Sequence, residues 1–348
     1  MKKFLTSIFA LACTGGILGA QDVQSAAAAA AAALSNAPEA QKQVEAPKYW
    51  TESIKTNINF SQTSLNNWVA GGDNTTTMAA YIDANANWKK GVMYWNNRLQ
   101  LDYGFLYASS KPIIQKNTDR IYLESKWGYQ IKDKLYFSAN YDFKSQFAKG
   151  YSYNAPSGVD PANEDGTYSR KQWLDARVAK SALLSPAYTN LALGIDWKPA
   201  PWFSASLAPL TGGFVISADP MFRKAYAMTL KKKYENIDKN DEAYISGKAF
   251  NAARFEFGTQ LKLDAKLSIN DNLSYSTQLV MFSDYLNNPL DIRTNWDNRL
   301  DWKLAKYFTL TVITNMIYDN KIDTGSDNKI QLKSNLAFGF TYTINRSR

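Results

Sequence analysis

No histidine occurs in this chain, and cysteine occurs once, at position 13. The first absence removes the Ser-His and Asp-His arrangements of hydrolases, because no other side chain titrates unperturbed near neutral pH. Together the two deprive a zinc or copper site of its preferred ligands. We therefore expect no enzyme activity and no cofactor. Beyond the first twenty residues there is no apolar run long enough for a transmembrane helix, and mean hydropathy is −0.39. The charge of +9 is scattered rather than clustered, which argues against nucleic acid as a partner.

The N-terminus reads as a leader. Lys2 and Lys3 form a basic start, Phe4 to Leu18 an apolar stretch, and Gly19-Ala20 a small-residue cleavage site. Cys13 follows Ala10-Leu11-Ala12, a poor lipidation motif. Cleavage after residue 20 would leave a mature chain without cysteine. Residues 21–47, with Ala26 to Ala33 unbroken and Pro38 beyond, read as an Ala-rich periplasmic linker, since so short a helix is marginal alone.

What is present in quantity is aromatic: 14% of the chain, with 21 Tyr and 10 Trp. Those residues fall in alternating segments. "RFEFGTQLKLDAKLSI" (254–269) sets Phe255, Phe257, Leu261, Leu263, Leu267 and Ile269 on one face. Arg254, Glu256, Gln260, Lys262, Asp264 and Lys266 fall on the other. A period of two is a β-strand. The pattern recurs at 53–62, 76–88, 94–107, 120–131, 135–147, 187–197, 202–216, 273–285, 293–304, 307–318 and 329–344, twelve segments in all. The weakest is 202–216, where Pro209 and Gly212-Gly213 interrupt the pattern.

Short turns near 89–91, 132–134, 198–201, 270–272 and 305–306 alternate with longer loops at 63–75, 108–119, 148–186, 217–253, 286–292 and 319–328. Aromatics bracket the basic turns, as in "DWKPAPWF" (196–203), "DWKLAKYF" (301–308) and the looser "NWKKGVMYW" (87–95) and "WGYQIKDKLYF" (127–137). Tyr103, Phe105, Tyr107, Phe143, Phe147, Tyr285 and Tyr318 supply an opposite rim. Two aromatic belts around apolar faces mark a bilayer, and a sheet in hydrocarbon must close to pair its edges. The fold class is all-β: a transmembrane, up-and-down antiparallel β-barrel of about twelve strands spanning 48–348. Its place would be the outer membrane of a Gram-negative bacterium, with N- and C-termini periplasmic and lipid as the immediate partner. The aromatic ladder Phe338, Phe340 and Tyr342 in the last strand is similar to the signal read by outer-membrane assembly machinery.

"FSQTSLNNWVAGGDNTT" (60–76), "LAPLTGG" (207–213) and "RTNWDNRLDWKLAKYFTL" (293–310) together resemble an uncharacterised Bacteroidetes outer-membrane β-barrel family, a domain of unknown function. The resemblance runs from about Tyr49 to the C-terminus. It implies an outer-membrane barrel and brings no activity and no functional residues.

The inward faces carry eleven cations: Lys55, Arg98, Arg120, Lys126, Lys144, Arg254, Lys262, Lys266, Arg299, Lys303 and Lys333. Against them stand eleven anions: Asp83, Asp102, Glu124, Asp142, Asp196, Glu256, Asp264, Asp284, Asp297, Asp301 and Asp319. Opposite charges two residues apart, such as Arg254/Glu256 and Asp142/Lys144, predict internal pairing in a narrow or blocked lumen. The candidate binding residues are Arg98, Asp102, Glu124, Lys126, Asp142, Lys144 and Arg299. "VDPANEDG" (159–166) offers Asp160, Asn163, Glu164 and Asp165 to calcium, but ordinary turns use the same residue types. In "NNWVAGGDN" (66–74), Trp68 and Gly71-Gly72 suggest a structural tuck into the barrel mouth. Two functions fit this reading. One is a narrow passive conduit or binding barrel for a small polar solute; the other is a non-transporting scaffold whose long loops engage another envelope protein.

Overall fold

Alternation along each segment produces strands, and the strands close. A computed structural model describes residues 48–63, 74–163, 166–321 and 329–347, with side chains assigned to residue 344. The expected leader and linker, Trp68 with Gly71-Gly72, and Glu164 and Asp165 lie outside the described residues. The barrel strands are β1 (Trp50–Thr63), β2 (Thr75–Lys90), β3 (Met93–Ala108), β4 (Lys111–Lys132), β5 (Leu135–Ser145), β8 (Ala187–Ala200), β9 (Phe203–Ile216), β10 (Ala253–Ser268), β11 (Leu273–Asp284), β12 (Arg293–Lys303), β13 (Phe308–Tyr318) and β14 (Ile330–Ser347). Each pairs antiparallel with its neighbour in the chain, and β1 also pairs with β14, giving a closed twelve-stranded barrel. Both ends of the barrel chain, Trp50 and Ser347, lie at the short-turn end. No helix among the described residues is long and apolar enough to cross a membrane.

The outward wall is apolar and the inward wall polar, as the alternation requires. Leu207, Leu210 and Leu336 on the outside are more than half exposed, whereas Glu256 and Asp196 on the inside are 2% and 0% exposed. Outward aromatics meet in pairs at both rims: Trp50 with Trp95 and Trp197 with Phe203 at the short turns, Tyr103 with Phe147 and Phe257 with Tyr285 at the loops. Some outward residues are polar, and they satisfy one another. Trp95 donates to Ser125, whose hydroxyl donates to Asn97; Trp296 donates to Thr277, which shares Asn298 with the Tyr275 hydroxyl. Unpaired groups facing hydrocarbon would cost several kcal/mol each, so such closed clusters are the form in which polar residues are tolerated there.

One local feature bears out the weakest segment of the sequence reading, and one departs from it. The segment 202–216 is a full strand, β9, because a bulge absorbs Pro209. Two residues of β8 or β10 advance against three of β9 at this point, which turns Pro209 and Leu210 outward together and restores alternation at Thr211. The bulge presses on Gly194 of β8, where a Cβ would lie 2.1 Å from the Leu207 carbonyl oxygen, so glycine is required there. The departure is 108–119, expected as a long loop. Only Ser109 and Ser110 turn; β4 begins at Lys111, carries Pro112 at its first turn of ladder, and runs for 22 residues.

The remaining loops are folded. In 146–186, β6 (Gly150–Ser152) pairs with β7 (Val178–Ser181) beside a short helix α1 (Arg170–Ala176), capped by Ser169 and Gln172. In 217–252, α2 (Pro220–Arg223), a 3-10 turn (Lys232–Tyr234) and α3 (Glu242–Ile245) surround an apolar cluster of Val215, Met228, Ala249 and Phe250. Tyr188, inward on β8, packs against that cluster, so this loop is a cap seated on the barrel mouth. The Arg223 guanidinium holds the cap together by donating to the carbonyls of Ser217, Ala218 and Phe250.

Candidate functional site

Among the described residues, strand parity concentrates charged side chains in the lumen, and they are arranged in layers. At the short-turn end, Asp196 on β8 is fully buried and accepts from Lys126 Nζ at 2.6 Å, Tyr94 Oη at 2.7 Å and Ser138 Oγ at 2.9 Å. Tyr94 can lie across this end because β4 has Gly128 beneath its ring. Tyr136 meets Tyr94 edge-on, and the Lys198 ammonium sits 3.5 Å from the Tyr94 ring centroid. This layer narrows the short-turn end.

Above it, charges pair around and across the barrel. Lys262 on β10 reaches Glu124 on β4, four strands away, and the Tyr122 hydroxyl donates to the same carboxylate. Arg98 grips Asp83 through Nε at 3.0 Å and Nη2 at 2.7 Å. Asp301 accepts from Arg299, Lys55 and Thr311, and the Arg299 guanidinium also covers the Tyr81 ring. Near the loops, Arg254 and Arg293 converge on Glu256. Buried charges survive only when paired and hydrogen-bonded, and these layers meet that condition.

Between the layers lie two cavities of about 390 and 210 Å³. They share a wall of Arg120, Lys144, Tyr188, Gln278, Asp297 and Ile317. Arg120 on β4 approaches Asp297 on β12 at 3.9 Å. Those strands are six apart around a ring of twelve, so this contact crosses a full diameter. The lumen is therefore narrow, with its free volume divided by side chains.

Of the candidate residues, Arg98, Glu124, Lys126 and Arg299 are locked in ion pairs, while Asp102, Asp142 and Lys144 line cavity wall. The expected Asp142/Lys144 pair does not form: Asp142 accepts from Asn190 instead, and Lys144 has no ion pair among the described residues. Arg254/Glu256 pairs as expected. Arg293 escaped the sequence count because it is the first residue of its strand, although it shares parity with Asp297 and Arg299. Tyr94 and Tyr136 sit in motifs read as interfacial aromatics, yet their even numbering places them inward with Arg98 and Asp142; parity was the available signal. At the calcium candidate, Asn163 bonds Thr167 and the Asp160 carbonyl accepts from Gln172, which is turn geometry. No cluster of three metal-ligating side chains occurs among the described residues.

Against known proteins, a family described as "Protein of unknown function (DUF3078)" matches residues 60–151, from the end of β1 to β6. No match was found among curated proteins. Solved structures with a similar course include the NanC porin (7% identity, 83% of this chain and 98% of that one, TM-score 0.36). An outer-membrane channel from Pseudomonas putida F1 is 10% identical over 89% of this chain and 99% of its own, with a TM-score of 0.35. An outer-membrane phospholipase dimer from Salmonella typhi is 10% identical over 86% and 94%, with a TM-score of 0.31. The barrel architecture itself rests on the closed strand ladder of this chain.

Proposed function

We propose that the barrel is a narrow passive conduit and binding barrel for small polar solutes. It would sit in the outer membrane of a Gram-negative bacterium with both termini in the periplasm. One observation carries this reading: the mid-lumen keeps about 390 Å³ of space against charged side chains that have no ion partner among the described residues, Lys144 and Asp102 among them. A lumen serving only to stabilise the wall would pair those charges, because an unpaired charge away from bulk water is destabilising. The Bacteroidetes resemblance of the sequence motifs supports the outer-membrane placement, and the aromatic ladder of β14 supports delivery by the assembly machinery.

Planar-bilayer recording tests the conduit. The unmodified protein should pass a small current, limited by the chords that cross its lumen. Asp102→Asn with Asp142→Asn should shift the reversal potential toward anions, since both carboxylates face the cavities. A large, steady conductance before any substitution would defeat the narrow lumen. Silence in both proteins would favour the scaffold reading, for which the folded cap over 217–252 supplies a defined surface.

Orientation has its own test. Asp160, in a long loop, and Asp133, in a short turn, are both exposed. An impermeant maleimide applied to whole cells should label Asp160→Cys and spare Asp133→Cys. Labelling of position 133 alone would invert the barrel.

A further inference from the structure

Sequence counting balances the lumen charge, but the structure distributes it unevenly. Asp83, Glu124, Asp196 and Asp301 are all engaged in the short-turn layers. The larger cavity is left with Arg120, Lys144, Lys266 and Lys333 on its wall after Arg98 and Arg299 are discounted as paired. Of its acids, Asp119 is held by Lys116 and by the backbone N–H groups of Phe147 and Ala148. Asp264 accepts from Gln278 and lies 3.9 Å from Lys262. Asp102 and Asp297 remain to face four cations.

Those cations are crowded and poorly satisfied. Lys144 makes neither an ion pair nor a hydrogen bond among the described residues, although it is inside the barrel. Among the described residues Lys333 reaches only the Asn117 carbonyl and the Thr118 hydroxyl. Arg120 donates to Gln100 through one nitrogen and lies 3.9 Å from Asp297 through another, and among the described residues its buried Nε has no acceptor. Lys144 and Lys333 both feel the charge of Arg120, so like charges surround one cavity. A guanidinium hydrogen-bonded among the described residues only to a neutral amide, together with two ammonium groups, suits an oxyanion, whose charge the three cations neutralise.

We propose that the mid-lumen cavity is a binding site for a small oxyanion, a phosphate or a carboxylate, held by Arg120, Lys144 and Lys333. The site rests on the conduit and binding-barrel reading and names its solute class. Calorimetric titration of the detergent-solubilised mature protein at low ionic strength provides the test, with inorganic phosphate in one arm and succinate in the other. Saturable binding is expected in at least one arm, and the tighter arm identifies the headgroup. Lys144→Ala should weaken binding at least tenfold and Lys333→Ala should weaken it too, while Lys232→Ala, on the cap, should not. Because Lys144 supports no bond, its variant should keep the folded, heat-modifiable gel mobility; Lys144→Gln is the second check. No saturable binding, or binding indifferent to both lumen lysines, would overturn the site. Current without oxyanion binding would leave the conduit standing and remove the site. Binding without current would keep the site and remove the conduit.

Discussion

Leu263→Arg is expected to prevent the folded barrel from accumulating in the membrane fraction, while Lys266→Gln leaves assembly intact. Leu263 points outward from β10 between Ala205 and Leu279, inside a band bounded by Phe257 on one side and Phe203 on the other. An arginine near the bilayer midplane of a barrel costs about 2–4 kcal/mol, a large part of the margin by which proteins are stable. The Lys266 side chain faces the lumen and makes neither ion pair nor hydrogen bond among the described residues, so its charge can be removed without stranding a partner. Lys262, two steps along the same face, would be a poor control despite identical parity. It is 5% exposed and pairs across the barrel with Glu124, which its loss would leave buried beside fewer donors. Heat-modifiable gel migration and membrane fractionation read both variants. Normal folding of Leu263→Arg with failure of Lys266→Gln would mean that the two faces have been exchanged.

That contrast shows how far the sequence can be read. Parity alone places Leu263 outside and Lys262, Lys266, Glu124 and Asp196 inside, because a strand has only two faces and the hydrocarbon selects one. Closure follows from the same constraint, and the strand limits from the turns. Even the obscured strand was recoverable: Pro209 looks like an interruption, but Leu207 before it and Phe214 after it lie on the outward face in opposite parity, as a one-residue bulge requires. Partnership is another matter. Glu124 and Lys262 are 138 residues apart, and Arg120 meets Asp297 across a diameter. Which inward charges touch depends on barrel shear and side-chain reach, neither of which alternation encodes. The result is that neighbours two apart on one face, Asp142 and Lys144, stay separate while remote ones join. Nor does any local pattern announce that loop 217–252 folds back as a cap, since its apolar residues are spaced irregularly and cohere only in three dimensions.

Asp196→Ala should be the most damaging change inside the lumen and should open the short-turn end as well. The carboxylate is completely buried and takes three donors, so its loss strands the Lys126 ammonium and releases the Tyr94 hydroxyl. Removing one partner of a buried pair costs about 3–5 kcal/mol, because the remaining charge stays out of water without compensation. Asp196→Asn should cost less, since its single amide oxygen still accepts from one of the two hydroxyls, Tyr94 or Ser138. Urea unfolding monitored by tryptophan fluorescence should therefore rank the proteins wild type, Asn, Ala in falling stability. Conductance should separate stability from closure. Tyr94→Ala removes the ring lying over Gly128 and leaves Asp196 paired with Lys126, so it should raise the current with a smaller loss of stability than Asp196→Ala. If Asp196→Ala unfolds at the wild-type urea concentration, the buried cluster does not hold the barrel end. If Tyr94→Ala leaves the current unchanged, the narrowest point lies deeper, where Glu124 and Lys262 cross the lumen, and the same recording on Glu124→Gln with Lys262→Met would then show the increase.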